Sequence, residues 1–344
     1  MRQTRVLILF NEPTLPPDHP DADSEHEIGY TVDEVTKALE PAGYHVSRLG
    51  VSDDAVGLVR GIRKARPDVV FNLFEGLPEW GETEAYAVGI LEWLGLPYTG
   101  CPLQPVTLAR NKPLTKKLLR GARLPTAQFV TVDTLPLTEL PLDWPVILKP
   151  ADQDASVGID QASVVTNLDA FHERASYLLE NYGAPILAEE FIAGREFCIG
   201  MIEAPDLRCL PIAEMEFVTT DPDFWPIITY DAKWKPGTPD YESTPPKYPA
   251  ENVPPKLATK LRTLAKKAFR LTGCRDYARV DFRVKPSGKP YILEVNPNPD
   301  FSPLAGLSGG LKAAGLTWEG FALQLVQRAL VRGPRAAMPT AAAV

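Results

Sequence analysis

YARVDFRV at residues 277–284 and YILEVNPNPD at residues 291–300 decide how this chain is read. In the first, Arg279 and Asp281 alternate with Val280 and Phe282, so they share one face of a strand. In the second, Glu294 and Asn296 alternate with Val295 in the same way. If the two strands are neighbours, two carboxylates, a carboxamide and a guanidinium converge. Hard oxygen ligands in that combination suit Mg²⁺ bound jointly with substrate phosphates. The same alternation equally fits a hairpin with a solvated face and ordinary surface ion pairs.

Upstream, FCIGMI (197–202) and RCLPIAEMEF (208–217) alternate well enough to join these strands in a larger antiparallel sheet. Residues 221–252 are rich in Pro, Asp, Lys, Tyr and Trp and read as a long ordered loop. Helices are expected over 255–272 and 317–330, and a strand over 291–295 after a turn at Gly288. In the middle, Asn111 caps a helix to Arg120, with Pro113 in its first turn. Short strands at 146–149, 163–166 and 186–189, with a helix at 168–179, fit a small α+β unit. The first third alternates strand (5–10), helix (31–39), strand (45–48), strand (68–74) and helix (82–94). Thr31 and Glu34 have the spacing of a capping box. This rhythm implies a parallel sheet with helices on both faces. The expected organisation is an N-terminal α/β domain at 1–110, a central small α+β domain at 111–192, a C-terminal domain at 193–332 and a disordered tail at 333–344.

The 344 residues carry 36 Lys and Arg against 44 Asp and Glu, a formal charge of -8, which argues against a general nucleic-acid binder. No stretch approaches a membrane span. The apolar run at 6–10 is too short for a signal peptide, and Cys101, Cys198, Cys209 and Cys274 are scattered. A cytoplasmic setting is therefore expected. There is no GxxxxGK, GxGxxG, HExxH or GxSxG. Lys149 ends an apolar strand before Pro150, Lys112 opens the helix after the first domain, and PADQDASVG carries Ser156 and Gly158. Such residues can neutralise or cradle an anion, or lie on the surface. Glu189, Glu190 and Glu196 can bind ribose hydroxyls or face solvent.

SEHEIGY (24–30), FNLFEGLPEWGE (71–82), GLPYTG (95–100), NKPLTK (111–116), PVILKPADQDASVG (145–158), EEFIAGREF (189–197), YDAKWKPG (230–237), RVDF (279–282) and EVNPNP (294–299) occur in this order. With these segments, from the first strand to about Leu330, the chain resembles the D-alanine–D-alanine ligase branch of the ATP-grasp superfamily. The resemblance implies an ATP-grasp fold: an N-terminal α/β domain, then two subdomains that clamp ATP between antiparallel sheets. It implies that Lys112 and Lys149 contact phosphates, that Glu189 reads the adenine edge with Glu190 and Ile192 beside it, and that Glu196 binds ribose. Asp281, Glu294 and Asn296 match Mg²⁺ ligands, with Mn²⁺ an alternative ion. Arg279 matches the arginine at the developing oxyanion, and Glu25 the acid that receives the first ammonium. Lys233 matches the loop lysine and Ser156 the last residue of the phosphate loop.

The departures fall elsewhere. Glu75 stands where the family has histidine, Asp154 and Ala155 where it has glycine and serine, and Trp234 where it has tyrosine. Asp300 replaces a glycine and Ala305 a carboxylate-binding serine, with Ser302 close by. The resemblance thus implies an ATP-dependent carboxylate–amine ligase with an altered acceptor site, acting on amino acids, peptides or small amines, with no nucleic-acid or membrane partner and a homodimer allowed. Authentic D-alanyl-D-alanine synthesis, phosphorylation without ligation and a decayed nucleotide-binding regulator are the other readings.

Overall fold

A computed structural model of the chain describes residues 2–13, 22–77, 80–203 and 205–333, with the backbone alone for 22–27. The tail expected to be disordered, residues 334–344 above all, lies outside the described residues, as does the side chain of Glu25.

The chain opens with β1 (Arg5–Asn11), α1 (Ala22–Leu39), β2 (His45–Val51), α2 (Ala55–Ala65), β3 (Val69–Asn72), α3 (Thr83–Trp93), α4 (Leu103–Ala109) and α5 (Lys112–Gly121). The three strands form a parallel sheet in the order β2-β1-β3. Val6 and Ile8 pack with Val32, Val35 and Leu39 of α1, whereas Leu7 and Leu9 pack with the core containing Leu58 and Ile62 of α2 and Val88 and Leu91 of α3. A strand covered on both faces needs a continuous apolar run, which is what VLIL supplies. The expected capping box is corrected: α1 already begins at Ala22, Thr31 is buried inside it, and Glu34 pairs with Lys37 at 2.6 Å. The N-cap of α5 is as expected, with Asn111 Oδ1 accepting from Leu114 N–H at 2.9 Å.

Next come β4 (Phe129–Val132), β5 (Val146–Pro150), β6 (Val164–Val165), α6 (Leu168–Tyr182) and β7 (Ile186–Glu190). They build an antiparallel sheet, β4-β7-β5-β6, backed by α6 through Phe171, Ala175 and Leu178. The C-terminal part holds β8 (Arg195–Glu203), β9 (Leu207–Cys209), β10 (Ala213–Met215), α7 (Tyr230–Trp234), α8 (Pro239–Glu242), β11 (Pro246–Lys247), α9 (Pro255–Thr272), β12 (Tyr277–Val284), β13 (Pro290–Asn296), α10 (Gly306–Ala313) and α11 (Trp318–Arg332). Its sheet runs β11-β10-β8-β12-β13, with β9 on β8. RCLPIAEMEF is two short strands rather than one, interrupted around Pro211, which has no N–H for the ladder. Residues 221–252 are not a plain loop, because they contain α7, α8 and β11.

On β12, Val280 and Phe282 share a core with Leu261, Ala265 and Phe269 of α9. Arg279, Asp281 and Arg283 line a cavity on the opposite face. Asp276, fully buried before β12, fastens the first sheet's far end to this part. It accepts from Gly100 N–H at 2.9 Å and pairs with Arg332 at 2.6 Å.

Candidate active site

The register of the last two strands sets the first group. Arg279 stands opposite Asn296 and Asp281 opposite Glu294, so the side chains whose alternation suggested a common face do share one. Arg279 reaches along its strand and grips Asp281 with two donors, Nε to Oδ1 at 2.9 Å and Nη2 to Oδ2 at 2.8 Å. Its Nη2 is also 3.6 Å from Glu294. Burial disfavours the charged Asp281 and raises its pKa, with Arg279 opposing. Burial acts on Glu294 too, but Lys233, Arg279 and Lys112 overcome it and hold its pKa at about 2.

Two ionisable carboxylates face each other across a ladder with a carboxamide at the next site. Among the described residues, no cluster of three His, Cys, Asp or Glu could hold a metal unaided. That donor set fits a hard cation completing its shell with water and phosphate oxygens, as Mg²⁺ does. Asn296 Oδ1 also accepts from Asn298 N–H at 2.9 Å, which fixes its orientation.

The facing sheet supplies the opposite wall. Glu189 on β7 is buried between Lys149 of β5 and Lys116 of α5, each ammonium on its own carboxylate oxygen. Burial works against this carboxylate, yet the two lysines bring its pKa down to about 2. Lys116 was not singled out by the sequence reading. On an amphipathic helix it looks like any surface lysine, and only its far-off partner marks it. On the C-terminal sheet, Glu196 pairs with Arg283 at 3.0 Å, the residue opposite it in the ladder. A cavity of about 320 Å³ lies between the sheets. Lys112, Lys149, Ser156, Glu189, Glu190, Ile192 and Glu196 line it together with Lys233, Arg279, Asp281 and Glu294.

Two loops close one side. Ser156 Oγ donates to the Ile228 carbonyl at 3.0 Å, Trp234 Nε1 to the Ala155 carbonyl at 3.1 Å, and Tyr230 N–H to the Ile159 carbonyl at 2.9 Å. Buried Arg174 holds the loop base, donating to the Gly158 carbonyl at 2.8 Å and pairing with Asp160 at 2.9 Å. Gly158 has φ +72, and a Cβ there would lie 2.8 Å from Pro150, so glycine is required twice over. The loop's Asp154 accepts from Lys112 at 2.9 Å.

A wider cleft of about 1000 Å³ adjoins the cavity. Glu75, Trp234, Asn296, Asp300 and Ser302 line it, and Lys112, Lys233, Arg279 and Glu294 line both spaces. Asp300 is exposed and accepts from Ser302 N–H at 2.7 Å. Ser302 is buried, its Oγ accepting from Leu304 N–H at 3.1 Å. Ala305 is the N-cap position just before α10 and offers no hydroxyl. The cleft wall also holds Glu84, which the sequence reading missed. It pairs with Arg110 at 3.0 Å and accepts from Asn298 Nδ2 at 2.9 Å. Burial pushes its carboxyl up to about 7 despite Arg110. No local pattern announces this trio, whose members come from α3, the end of α4 and the turn after β13.

The chain is similar to known proteins over most of its length. The family model described as "D-ala D-ala ligase C-terminus" matches residues 118–327. The uncharacterized protein y4sG of Sinorhizobium fredii is 30% identical over 308 residues, covering 87% of this chain and 85% of that protein. A D-alanine–D-alanine ligase of Geotalea uraniireducens is 32% identical, covering 86% of this chain and 87% of its own. In structure, the D-alanine–D-alanine ligase of Bacillus anthracis complexed with ATP superimposes with a TM-score of 0.74 at 20% identity, over 96% of this chain and 98% of that one.

Proposed function

This chain belongs to the D-alanine–D-alanine ligase-like family of ATP-grasp enzymes, and we propose that it joins a carboxylate to an amine using ATP, with an acceptor pocket remodelled relative to that family. The observation that carries the proposal is the shared wall: Lys112, Lys233, Arg279 and Glu294 line both the cavity between the sheets and the wider cleft. A phosphoryl group can pass there from a nucleotide in one space to a carboxylate in the other.

In this reading adenine lies beside Glu189, Glu190 and Ile192, and ribose beside Glu196. Lys112 and Lys149 hold phosphate oxygens. Asp281, Glu294 and Asn296 would hold Mg²⁺, or Mn²⁺, which when bound offsets charge on the transferring phosphoryl group. The substrate carboxylate oxygen attacks the γ-phosphorus, ADP leaves, and an acyl phosphate remains. The amine then attacks the acyl carbon, the tetrahedral intermediate expels phosphate, and the amine proton passes to solvent or a nearby base. Arg279, pinned by Asp281 at the junction, is the residue we assign to stabilising the oxyanion of that intermediate. Glu25 is proposed for the first ammonium, and Lys233 and Ser156 for the closing loops. Glu75, Trp234, Asp300 and Ser302 form the acceptor side. Ala305 in place of a hydroxyl supports an acceptor not held by its carboxylate there.

The test is ADP release with a panel of amino acids, dipeptides and amines, with mass spectrometry of the products. An amide product is expected. A stable phosphorylated acceptor would make the protein a kinase, and nucleotide binding without turnover a regulator.

A further inference from the structure

We propose that Asp154 is a built-in competitor of the nucleotide's phosphate groups for Lys112, and that Arg110 is the positioning residue that holds Asp154 aside once nucleotide takes Lys112. This rests on the reading above that Lys112 handles phosphate.

One carboxylate bridges two cations. Lys112 Nζ donates to Asp154 Oδ1 at 2.9 Å and also to the Gln153 carbonyl, while Arg110 Nε lies 3.5 Å from Asp154 Oδ2. The cations belong to the scaffold. Arg110 is fixed by Glu84 at 3.0 Å and by the Glu75 carbonyl at 3.1 Å, and Gly81 leaves no room for a Cβ beside its guanidinium. Lys112 opens α5 with its side chain only 12% exposed. The anion belongs to the loop. Asp154 is 38% exposed and precedes Ala155 and Ser156, both at positive φ. The carboxylate is the part that can move.

Two consequences follow from charge. A phosphate arriving at Lys112 meets an anion already bound, and molecules with the bridge closed are subtracted from the binding-competent population. Once displaced, Asp154 remains beside the phosphate, and neighbouring anions repel unless a cation separates them. Arg110, already within reach of the other carboxylate oxygen, is that cation.

Calorimetry in the presence of Mg²⁺, with the non-hydrolysable ATP analogue AMP-PNP and with adenosine, tests both parts. Asp154→Ala is expected to bind AMP-PNP roughly three- to tenfold more tightly than the unaltered protein, as for removal of a competing closed state. Its affinity for adenosine, which has no phosphate, is expected to be unchanged. Replacing Arg110 alone strands Glu84, so Glu84→Gln and Arg110→Met are combined to remove the buried pair whole. That double variant is expected to bind AMP-PNP more weakly, and adding Asp154→Ala to abolish the weakening. AMP-PNP binding no tighter in Asp154→Ala, or equal tightening toward adenosine, overturns the competitor role and leaves the nucleotide site standing. Weakening that persists in the triple variant overturns the role of Arg110. If neither the unaltered protein nor Asp154→Ala binds AMP-PNP, the nucleotide reading fails and this inference with it.

Discussion

At the proposed nucleotide end of the cleft, Lys149, Glu189, Glu196, Arg279, Asp281, Glu294 and Asn296 all stand on paired strands, so within each sheet the ladders fix their separations. At the proposed acceptor end, Glu75, Asp300 and Ser302 stand on turns outside the ladders, held by side-chain contacts such as Glu75 N–H on Asn11 Oδ1 and Ser302 N–H on Asp300 Oδ1. A ladder position cannot shift without breaking its neighbours' hydrogen bonds, whereas a turn can be rebuilt locally. The departures from the family pattern at 75, 300 and 305 fall on the side where rebuilding is least disruptive. Asp154 falls on the loop between the two ends.

The comparison breaks first at Arg279, which stands on a ladder yet faces both spaces. Arg279→Lys keeps the charge but loses the fork that grips Asp281 with two donors. Turnover is expected to fall by about 10²-fold, the range for loss of an oxyanion donor, with AMP-PNP affinity nearly kept. Normal turnover on the best substrate pair would take Arg279 out of the chemistry. Next in size is Asp281→Asn. It is expected to weaken Mg²⁺-dependent AMP-PNP binding by about tenfold, as for disturbance of a metal's ligand environment. Affinity that does not depend on Mg²⁺ in the unaltered protein would remove the metal assignment from the ladder.

The two ends also answer pH in opposite directions. Glu189 has a folded pKa of about 2, below the ordinary 4.5, because Lys116 and Lys149 outweigh the cost of its burial. The unfolded chain therefore binds more protons between these values, and stability is lost as pH falls from 4.5 toward 2. Glu84 has a folded pKa of about 7, raised from 4.5 by burial. Here the folded chain binds more protons, so this contribution is greatest below 4.5 and is lost as pH rises through 7. Urea unfolding across pH is expected to show a flatter acid limb in Glu189→Gln and a flatter slope between 4.5 and 7 in Glu84→Gln. Slopes identical to those of the unaltered protein would show that neither carboxyl is perturbed as its surroundings imply.

What was legible in the sequence follows the same division. The period of two exposed Arg279 with Asp281 and Glu294 with Asn296, because apolar partners on the other face mark the register. Asn111 was legible as a cap because capping is local. Lys116, by contrast, is decided by Glu189, seventy-odd residues away on strand β7. Glu84, Arg110 and Asn298 meet only through folding, so their spacing carries no period. Strand β4 is four residues long, FVTV, too short for a period of two to stand out. The helices within 221–252 are single turns whose Thr229 and Thr238 caps were hidden in a Pro-rich stretch.

The smallest expected effect lies at Asp300, and it separates the two ends most cleanly. Its carboxylate is exposed in the cleft wall and accepts from Ser302 N–H at 2.7 Å. An acceptor carboxylate approaching this turn meets like charge, with no hydroxyl at Ala305 to receive it. An acceptor presenting an amine meets attraction instead and one with a blocked carboxylate escapes the repulsion, and Trp234, which also lines the cleft, offers apolar surface. D-alanine alone is therefore expected to be a poor substrate pair. Asp300→Asn keeps an acceptor oxygen for the turn while removing the charge. It is expected to change the KM of the acceptor only a few-fold, the size of a partly screened charge interaction. The shift should favour carboxylate-bearing acceptors over amines and leave the KM for ATP unchanged. Rapid formation of D-alanyl-D-alanine by the unaltered protein, at a rate matching the best pair in a broad panel, would show that the turn presents Asp300 away from the acceptor. A change in the KM for ATP as large as that for the acceptor would show that the turn and the ladder are not independent, and the division between the two ends would fall.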